Sequence, residues 1–298
     1  MSKYRIRIFS SFGDSNNCKE VFEKICETDL MENYGQDKEI YITNDDNYTH
    51  VILMNIPMPT ITVPKSCVVG LAFEPPSFLV NDNWREFEPP NYIVNHVFKE
   101  FMNYAKDNVS KYFVGTSVLP APFVSHYSYM WHVIPPRIIA EKNQMMSIMV
   151  SNKLQSVGHQ FRHSLVKEIL KTNLNIHIYG RGAKFYNDPR VKGEFKECEP
   201  YEKYHFHICI ENFQTESYTS EKYTNCVLFG TTPIYWGAKN INSLFPGITI
   251  ELSGSLETDM QLLHSIMQNP LKYKKHFDQN EIRPKINILK NLDDIFSP

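Results

Sequence analysis

The densest group of residues that could do chemistry lies between positions 205 and 237, where an apolar run leads into a polar, acidic loop and then into a helix. In parallel α/β sheets, ligands bind beyond the carboxyl ends of the strands. The first turn of a helix offers unpaired N–H groups and a partial positive charge, which favour an anion such as phosphate. Lys222 lies in that turn and adds a positive charge, and Glu221 beside it can accept hydrogen bonds from sugar or ribose hydroxyls. The segment therefore predicts a site for phosphate and hydroxyl groups.

A purely structural explanation of the same residues stays open. Thr219 or Ser220 is a suitable helix N-cap, and Glu221 can compensate the helix dipole at the protein surface. Spacing alone does not separate the two interpretations.

The elements that would position this site form two successive α/β series. Strands are predicted at 4–9, 39–43, 50–55, 67–73 and 92–97 in the first series, and at 147–151, 175–180, 205–212, 232–237 and 248–252 in the second. Helices are predicted at 18–27, 159–172 and 220–230 and in the tail after 256. Continuous apolar runs such as 68–73 are typical of buried parallel strands. Residues 115–144 hold four prolines and few charges, which indicates an irregular link. We expect an α/β protein with domains at 1–140 and 141–298.

Composition excludes several classes of protein. The 298 residues are 42% hydrophobic, which excludes a disordered or fibrous chain. Lysine and arginine number 31 against 33 acidic residues, so a basic surface for nucleic acid is not expected. The six cysteines form no CxxC pair, so we expect neither structural zinc nor a disulfide framework. No apolar run reaches the ~18 residues of a membrane helix, and the N-terminus lacks the apolar core of a signal peptide. We expect a cytoplasmic protein of the producing or host cell, without stable membrane insertion.

The string IENFQTESYTSEK followed by TPIYWG resembles the C-terminal signature of the α-1,3-fucosyltransferases, glycosyltransferase family 10. That signature runs F-x-E-N, a short loop, Y-V-T-E-K, a helix and P-(I/V)-(Y/V)-x-G. The positions in register are Glu211, Asn212, Tyr218, Glu221, Lys222, Pro233 and Gly237. Thr219-Ser220 replaces the usual Val-Thr.

Two upstream segments carry the resemblance further. Residues 150–162 are similar to the S-N segment of the family, with Arg162 at the position of its helix arginine, although the spacing here is longer. Residues 178–182 are similar to its glycine turn, which places Gly180 and Arg181. The resemblance covers about 147–250, and the first half matches only as a general α/β acceptor domain.

The resemblance implies a GT-B fold, in which two Rossmann-like domains face a cleft. It implies GDP-fucose as the donor on the C-terminal domain, a glycan acceptor on the N-terminal domain, and inverting transfer with neither a cofactor nor an obligatory metal. A D-x-D motif, which a metal-dependent GT-A enzyme needs at a strand end, is not found in a suitable context.

The resemblance also assigns roles around the donor. Lys222 and Arg162 would neutralise the diphosphate as the glycosidic bond breaks. Asn212 would donate to a phosphate or sugar oxygen, and Tyr218 and Glu221 would contact hydroxyls of ribose or fucose. Glu221 would also have a catalytic role, in favouring the oxocarbenium-like centre. The remaining donor-binding candidates are Glu211, Gly180 and Arg181, the last of which contacts phosphate or guanine unless it is an ordinary solvated turn residue.

An inverting transferase needs a base for the acceptor hydroxyl, and in the family this is a glutamate of the N-terminal domain after a strand. Glu74 ends the buried run 68–73 and precedes two prolines, and burial there would raise its pKa. Glu88 repeats the E-P-P pattern and is the second candidate, and a loop or capping carboxylate is the structural alternative for Glu74. Aromatic side chains stack on sugar rings, so acceptor binding or simple packing is expected of His126, Tyr129 and Trp131.

Two other functions stay open, and a third is disfavoured. The same fold can use a different sugar nucleotide, or a non-catalytic protein can keep the fold to bind glycans. A nucleotide-sugar epimerase or dehydrogenase needs G-x-G-x-x-G after the first strand, where residues 10–17 supply one glycine. The sequence does not decide the acceptor, the linkage or the oligomeric state.

Overall fold

The computed structural model describes residues 3–80, 95–127, 129, 134–196 and 198–297. The chain divides into two compact units. The first contains Met1–Ile134, Glu216–Tyr218 and Pro284–Pro298, and the second contains Pro135–Thr215 and Thr219–Arg283.

Strands and helices alternate along the described residues. The strands are β1 Tyr4–Ser10, β2 Ile40–Ile42, β3 His50–Met54, β4 Val68–Leu71, β5 Lys111–Val114, β6 Phe123–Ser125, β7 Gln144–Met149, β8 Ile176–Tyr179, β9 Val191–Gly193, β10 Tyr204–Ile210, β11 Thr232–Trp236 and β12 Ile250–Glu251. The α-helices are α1 Ser15–Ile25, α2 Pro76–Val80, α3 His96–Asn108, α4 Val157–Leu170, α5 Glu199–Glu202, α6 Glu221–Leu228, α7 Ile241–Leu244, α8 Leu256–Gln268, α9 Pro270–Tyr273, α10 Gln279–Ile286 and α11 Leu292–Ile295.

The first unit is built on a parallel sheet with the strand order β2-β1-β3-β4-β5-β6. Its central strands are almost fully apolar and buried on both faces, as the run 68–73 predicts. Phe98 and Phe101 of α3 pack with Tyr112 and Phe123 into an aromatic core. Because β2 and β3 lie on opposite sides of β1, this sheet has its topological switch point between β1 and β3.

The second unit is built on a parallel sheet with the strand order β12-β11-β10-β7-β8-β9. The order reverses between β7 and β10, which makes this pair the switch point where a ligand binds in open α/β sheets. Leu165 and Ile169 of α4 and Leu263 and Ile266 of α8 pack with the apolar side chains of the sheet in one buried core. Residues 221–228 are buried on most sides because α6 packs on β10 and β11.

Two local predictions differ from the structure. The predicted strand at 92–97 is wrong where the structure describes it: Asn95 caps α3, its Oδ1 accepting from the backbone N–H of Phe98 over 2.7 Å, while 92–94 lie outside the described residues. The predicted irregular link contains β6, which pairs with β5. Prolines at 120 and 122 precede β6 and mask its strand signal.

The tail after residue 283 belongs to the first unit, whereas the sequence places it in a domain spanning 141–298. Its apolar side chains are buried: Ile286, Ile288, Leu289, Leu292 and Ile295. Asn287 donates from Nδ2 to the carbonyl of Cys26 over 3.1 Å, and Phe296 stacks on Tyr4. The tail therefore completes the core of the first unit, whose leading segment ends at Ile134 rather than at 140.

Candidate functional site

A cavity of about 270 Å³ opens at the switch point of the second sheet. Its walls come from the carboxyl ends of β7 and β8, from β10 and from the first turn of α6. Of the side chains predicted for the donor site, the cavity is lined by Arg162, Gly180, Arg181, Glu221 and Lys222. These residues come from three separate segments, so the fold brings together residues that are up to 60 positions apart in the sequence.

The loop from β10 to α6 is held at both ends by Glu211 and Ser220. Glu211 is fully buried and accepts from the backbone N–H of Ser220 over 2.7 Å and from its hydroxyl over 2.6 Å. The Ser220 hydroxyl also accepts from the backbone N–H of Lys222, so Ser220, one of the two N-cap candidates in the sequence, caps α6. The structural and the functional interpretation are therefore compatible, because the turn that Ser220 caps also carries Glu221 and Lys222, which line the cavity.

Lys222 is held by oxygen atoms at the edge of the cavity. Its ammonium donates to Glu221 and to the Ser220 hydroxyl, each over 3.0 Å, and lies 3.7 Å from a Glu211 carboxylate oxygen. Burial alone would lower the pKa of Lys222, but the carboxylates of Glu221 and Glu211 outweigh it and the pKa is raised. Burial raises the pKa of Glu211, and Lys222 opposes that shift. Lys222 therefore stays charged at neutral pH.

The N-terminus of α4 lies against the strand end at Glu211 and Asn212. Gly158 donates its N–H to the carbonyl of Asn212 over 3.0 Å, and a Cβ at residue 158 would lie 1.8 Å from the Glu211 carbonyl oxygen. One turn further on, the buried Arg162 donates from its guanidinium to Oδ1 of Asn212. This contact holds Arg162 at the cavity wall, whereas Asn212 itself does not line the cavity among the described residues, and its predicted hydrogen bond to a phosphate or sugar oxygen stays a prediction.

Arg181 lies in a glycine turn that packs on the end of β7. A Cβ at Gly180, which has φ +103°, would lie 2.2 Å from the Val150 carbonyl oxygen, and one at Gly182 would lie 2.2 Å from that of Ser151. Only glycines allow this approach, which brings the exposed Arg181 to the cavity. His163 of α4 contacts the same carbonyl of Ser151 through Nε2 over 2.8 Å.

The cavity has a positive electrostatic character. Among the described residues it is lined by four cations, Lys153, Arg162, Arg181 and Lys222, against the one carboxylate of Glu221. The N-terminus of α6 adds a further partial positive charge. The pKa of His159, near the start of α4, is lowered to about 3 by burial and by the charges of Arg162 and Lys222. This field suits a ligand with two or more negative charges, such as a diphosphate.

Glu74 and Tyr218 lie in the first unit. Glu74 lines a cavity of about 400 Å³ that also includes Ser10 at the end of β1 and Met54 at the end of β3, so it lies at the switch point of the first sheet. The buried Tyr218 donates its hydroxyl to the carbonyl of Phe73 over 3.3 Å, which supports the segment that carries Glu74. Tyr218 does not line the cavity of the second unit among the described residues, and its predicted contact with a sugar hydroxyl stays a prediction.

Two of the three aromatic candidates, His126 and Tyr129, pack inside the first unit. His126 stacks on Tyr127 with ring centroids 4.2 Å apart and lies against Tyr129, which is 6% exposed. Burial lowers the pKa of His126 to about 4, so it is neutral at physiological pH. Trp131 and Glu88 lie outside the described residues.

Sequence reasoning missed several residues of the second cavity. Lys153 directly follows Ser151-Asn152, so its place in the sequence could have indicated it. Phe195, in the loop after β9, carried no such signal. His207 is fully buried in β10, and its Nδ1 lies 2.7 Å from the Ser147 hydroxyl.

Two kinds of feature are absent from the described part of the chain. It holds no group of three or more His, Cys, Asp or Glu side chains placed to bind a metal ion. Nor does any of its helices have both the length and the apolar character needed to cross a bilayer.

Comparison with known sequences identifies relatives of the second half. The profile of the C-terminal part of glycosyltransferase family 10 (fucosyltransferase) matches residues 139–291. A fucosyltransferase-like protein of Arabidopsis thaliana is 26% identical over 122 residues, which are 40% of this chain and 23% of that protein. A fucosyltransferase of Acanthamoeba polyphaga mimivirus is 29% identical over 125 residues, 38% of this chain and 19% of that protein. The matches thus span about a fifth of the length of these curated relatives.

Comparison with solved structures confirms the predicted α/β fold of the GT-B class. The crystal structure of TarM aligns with a TM-score of 0.52 at 11% identity, over 83% of this chain and 55% of that one. An α-1,3-fucosyltransferase crystal structure aligns over 99% of this chain and 91% of that one, with a TM-score of 0.49 and 15% identity.

Proposed function

Because this chain belongs to glycosyltransferase family 10, we propose that it transfers fucose from GDP-fucose to a hydroxyl of a glycan, with inversion and without a metal ion. The observation that carries the proposal is the cationic cavity at the switch point of the second sheet. A sugar nucleotide has a diphosphate between two hydroxyl-bearing rings. The cavity has cations that can bind the diphosphate, and the carboxylate of Glu221 can accept hydrogen bonds from the hydroxyls of a ring.

The chemistry assigned to this cavity is stabilisation of a leaving group. When the bond between the sugar C1 and the diphosphate oxygen breaks, negative charge grows on that oxygen. Lys222 and Arg162 are held in place before the reaction by Glu211, Ser220 and Asn212. Fixed donors of this kind stabilise a developing charge without reorganising, and each is worth about 3–4 kcal/mol in comparable sites.

Glu74 is the proposed base. In an inverting transfer the acceptor oxygen attacks C1 from the face opposite the diphosphate, and its proton passes to a carboxylate. Support for Glu74 comes from its place at the switch point of the first sheet, directly after the buried segment that ends in Phe73.

The test is calorimetric titration with GDP, UDP and CMP, each with and without EDTA. We expect selective binding of GDP that EDTA does not change. Lys222→Ala should weaken it by about ten- to a hundredfold, as expected for loss of a charged hydrogen bond. Lys171→Ala, which removes an exposed lysine at the end of α4, is the matched control and should bind like the wild type. Preference for UDP would contradict the donor assignment, and no nucleotide binding would favour the non-catalytic alternative.

A further inference from the structure

The cavity that contains Glu74 has a chemistry opposite to that of the cavity in the second unit. Among the described residues no lysine or arginine lines it, and Glu74 is its one carboxylate. Burial raises the pKa of the Cys18 thiol, which therefore stays uncharged at neutral pH. With one negative charge and no cation among its described lining residues, this cavity disfavours phosphates, nucleotides and carboxylates.

Its lining is also largely apolar. One face of α1, the loop after β1, the end of β3 and the segment after β4 supply the side chains: Phe12, Cys18, Val21, Phe22, Ile25, Met54 and Phe73. Phe22 and Phe73 stack with ring centroids 6.3 Å apart. Apart from Glu74, the polar side chains in the lining are Ser10 and Asn17, and the Ser10 hydroxyl already accepts from the backbone N–H of Phe12 over 3.0 Å.

A sugar ring is a poor match for such a lining. Each of its hydroxyls needs a hydrogen-bond partner when it leaves water, and burial without one is costly. Beyond Glu74, the cavity offers few partners. Its volume of about 400 Å³ is within the range for small-molecule sites, and it fits a ring or a short chain of carbon atoms.

The rim has the same character as the interior. Phe12 is 61% exposed in the loop after β1, and Val21 is 51% exposed on α1. Both line the cavity, so apolar surface continues from its interior to solvent. Exposed apolar residues that adjoin a pocket mark a binding site more often than isolated ones do.

We propose that this cavity binds an uncharged alkyl or aryl group of the acceptor, carried next to the hydroxyl that reacts. The inference rests on the proposed function for the role of Glu74, and it narrows the acceptor to a glycoside with an apolar aglycone or substituent. The carboxylate of Glu74 then meets the hydroxyl at the edge of the apolar surface.

The test compares pairs of ligands that differ only in the apolar group. Phenyl and methyl β-glycosides of galactose, glucose and N-acetylglucosamine are titrated into the wild-type protein in the presence of GDP. For whichever sugar binds, we expect the phenyl glycoside to bind at least about tenfold more tightly than the methyl glycoside, because the ring buries more apolar surface.

Two variants and one control locate the effect. Val21→Asp and Phe12→Ser change exposed positions on the rim and should each remove most of the preference for the phenyl glycoside. Val97→Asp is the matched control: Val97 is 50% exposed on α3 and does not line the cavity, so this variant should keep the preference. Circular dichroism melting of all variants separates loss of binding from loss of folding.

The inference is overturned if phenyl and methyl glycosides bind equally, if no phenyl glycoside binds, or if the preference survives in both rim variants. A titration of GDP on the same samples distinguishes failure of the apolar-site inference from failure of the proposed function. GDP binding without a phenyl preference overturns only the apolar site, and a phenyl preference without GDP binding overturns only the donor assignment.

Discussion

Ser220 donates two hydrogen bonds to the buried carboxylate of Glu211, one from its backbone nitrogen over 2.7 Å and one from its hydroxyl over 2.6 Å. The same hydroxyl accepts from the ammonium of Lys222 over 3.0 Å. Glu211, the buried residue directly after β10, therefore determines where the first turn of α6 begins and where its lysine lies. Glu211 acts on the cavity through Ser220 and Lys222, without lining it.

Glu211→Gln should destabilise the protein by about 1–3 kcal/mol, since a glutamine offers one acceptor oxygen to two donors and leaves a buried N–H or O–H unsatisfied. Urea unfolding at pH 7 measures the loss. The control is Glu194→Gln, an exposed carboxylate that should stay within about 0.5 kcal/mol of wild type. Equal stability of the two variants would show that Glu211 does not hold α6.

Gly158→Ala should destabilise the protein although alanine is the better helix former by about 1 kcal/mol. A Cβ at this position would lie 1.8 Å from the Glu211 carbonyl oxygen, so α4 must move away from the strand end. We expect a loss of at least about 1 kcal/mol, the lower end for overpacking, together with weaker GDP binding. Gly13→Ala is the matched control for stability, because no atom of the described residues lies within 4 Å of a Cβ there. A variant at 158 as stable as wild type would contradict the close approach.

His207→Asn should reduce the pH dependence of stability. Burial lowers the pKa of His207 to about 3 in the folded protein, against 6.5 for an ordinary histidine. Between those values the unfolded chain binds a proton that the folded chain does not, so stability falls as pH decreases from 6.5. One such group contributes up to about 1.4 kcal/mol per pH unit. Asparagine keeps a nitrogen for the contact with Ser147 but has no proton to gain.

The measurement for His207 is urea unfolding of wild type and His207→Asn at pH 7, 6, 5 and 4. The variant should lose less stability per pH unit, although His159, whose pKa is also lowered to about 3, keeps part of the slope. Identical slopes for the two proteins would refute the assignment.

Glu74→Gln should leave GDP binding unchanged and lower turnover at least a hundredfold, the usual minimum for a general base. Turnover is followed as GDP release from GDP-fucose with the best acceptor found. Glu20→Gln, an exposed carboxylate on α1, is the control for a change of charge in the first unit. Glu88→Gln tests the second candidate. Full turnover in Glu74→Gln together with loss of turnover in Glu88→Gln would identify Glu88 as the base.

The sequence by itself determined the parallel α/β character of both halves and the order of the chemical residues. Buried parallel strands are largely apolar, which made β4, β7 and β10 recognisable. The segment from Glu211 to Lys222 was recognisable because each residue type stands at a set distance along one strand, loop and helix. Patterns of this kind are local in the sequence, so one sequence is enough to recognise them.

Only the tertiary structure decided which distant residues share a surface. It placed the tail with the first unit, paired β6 with β5, put the hydroxyl of Tyr218 on the carbonyl of Phe73, and gave the two cavities opposite chemistry. These outcomes depend on burial shared between segments far apart in the chain. The composition of an apolar tail such as 286–295 is compatible with burial in either core. Only the folded structure shows which core it completes.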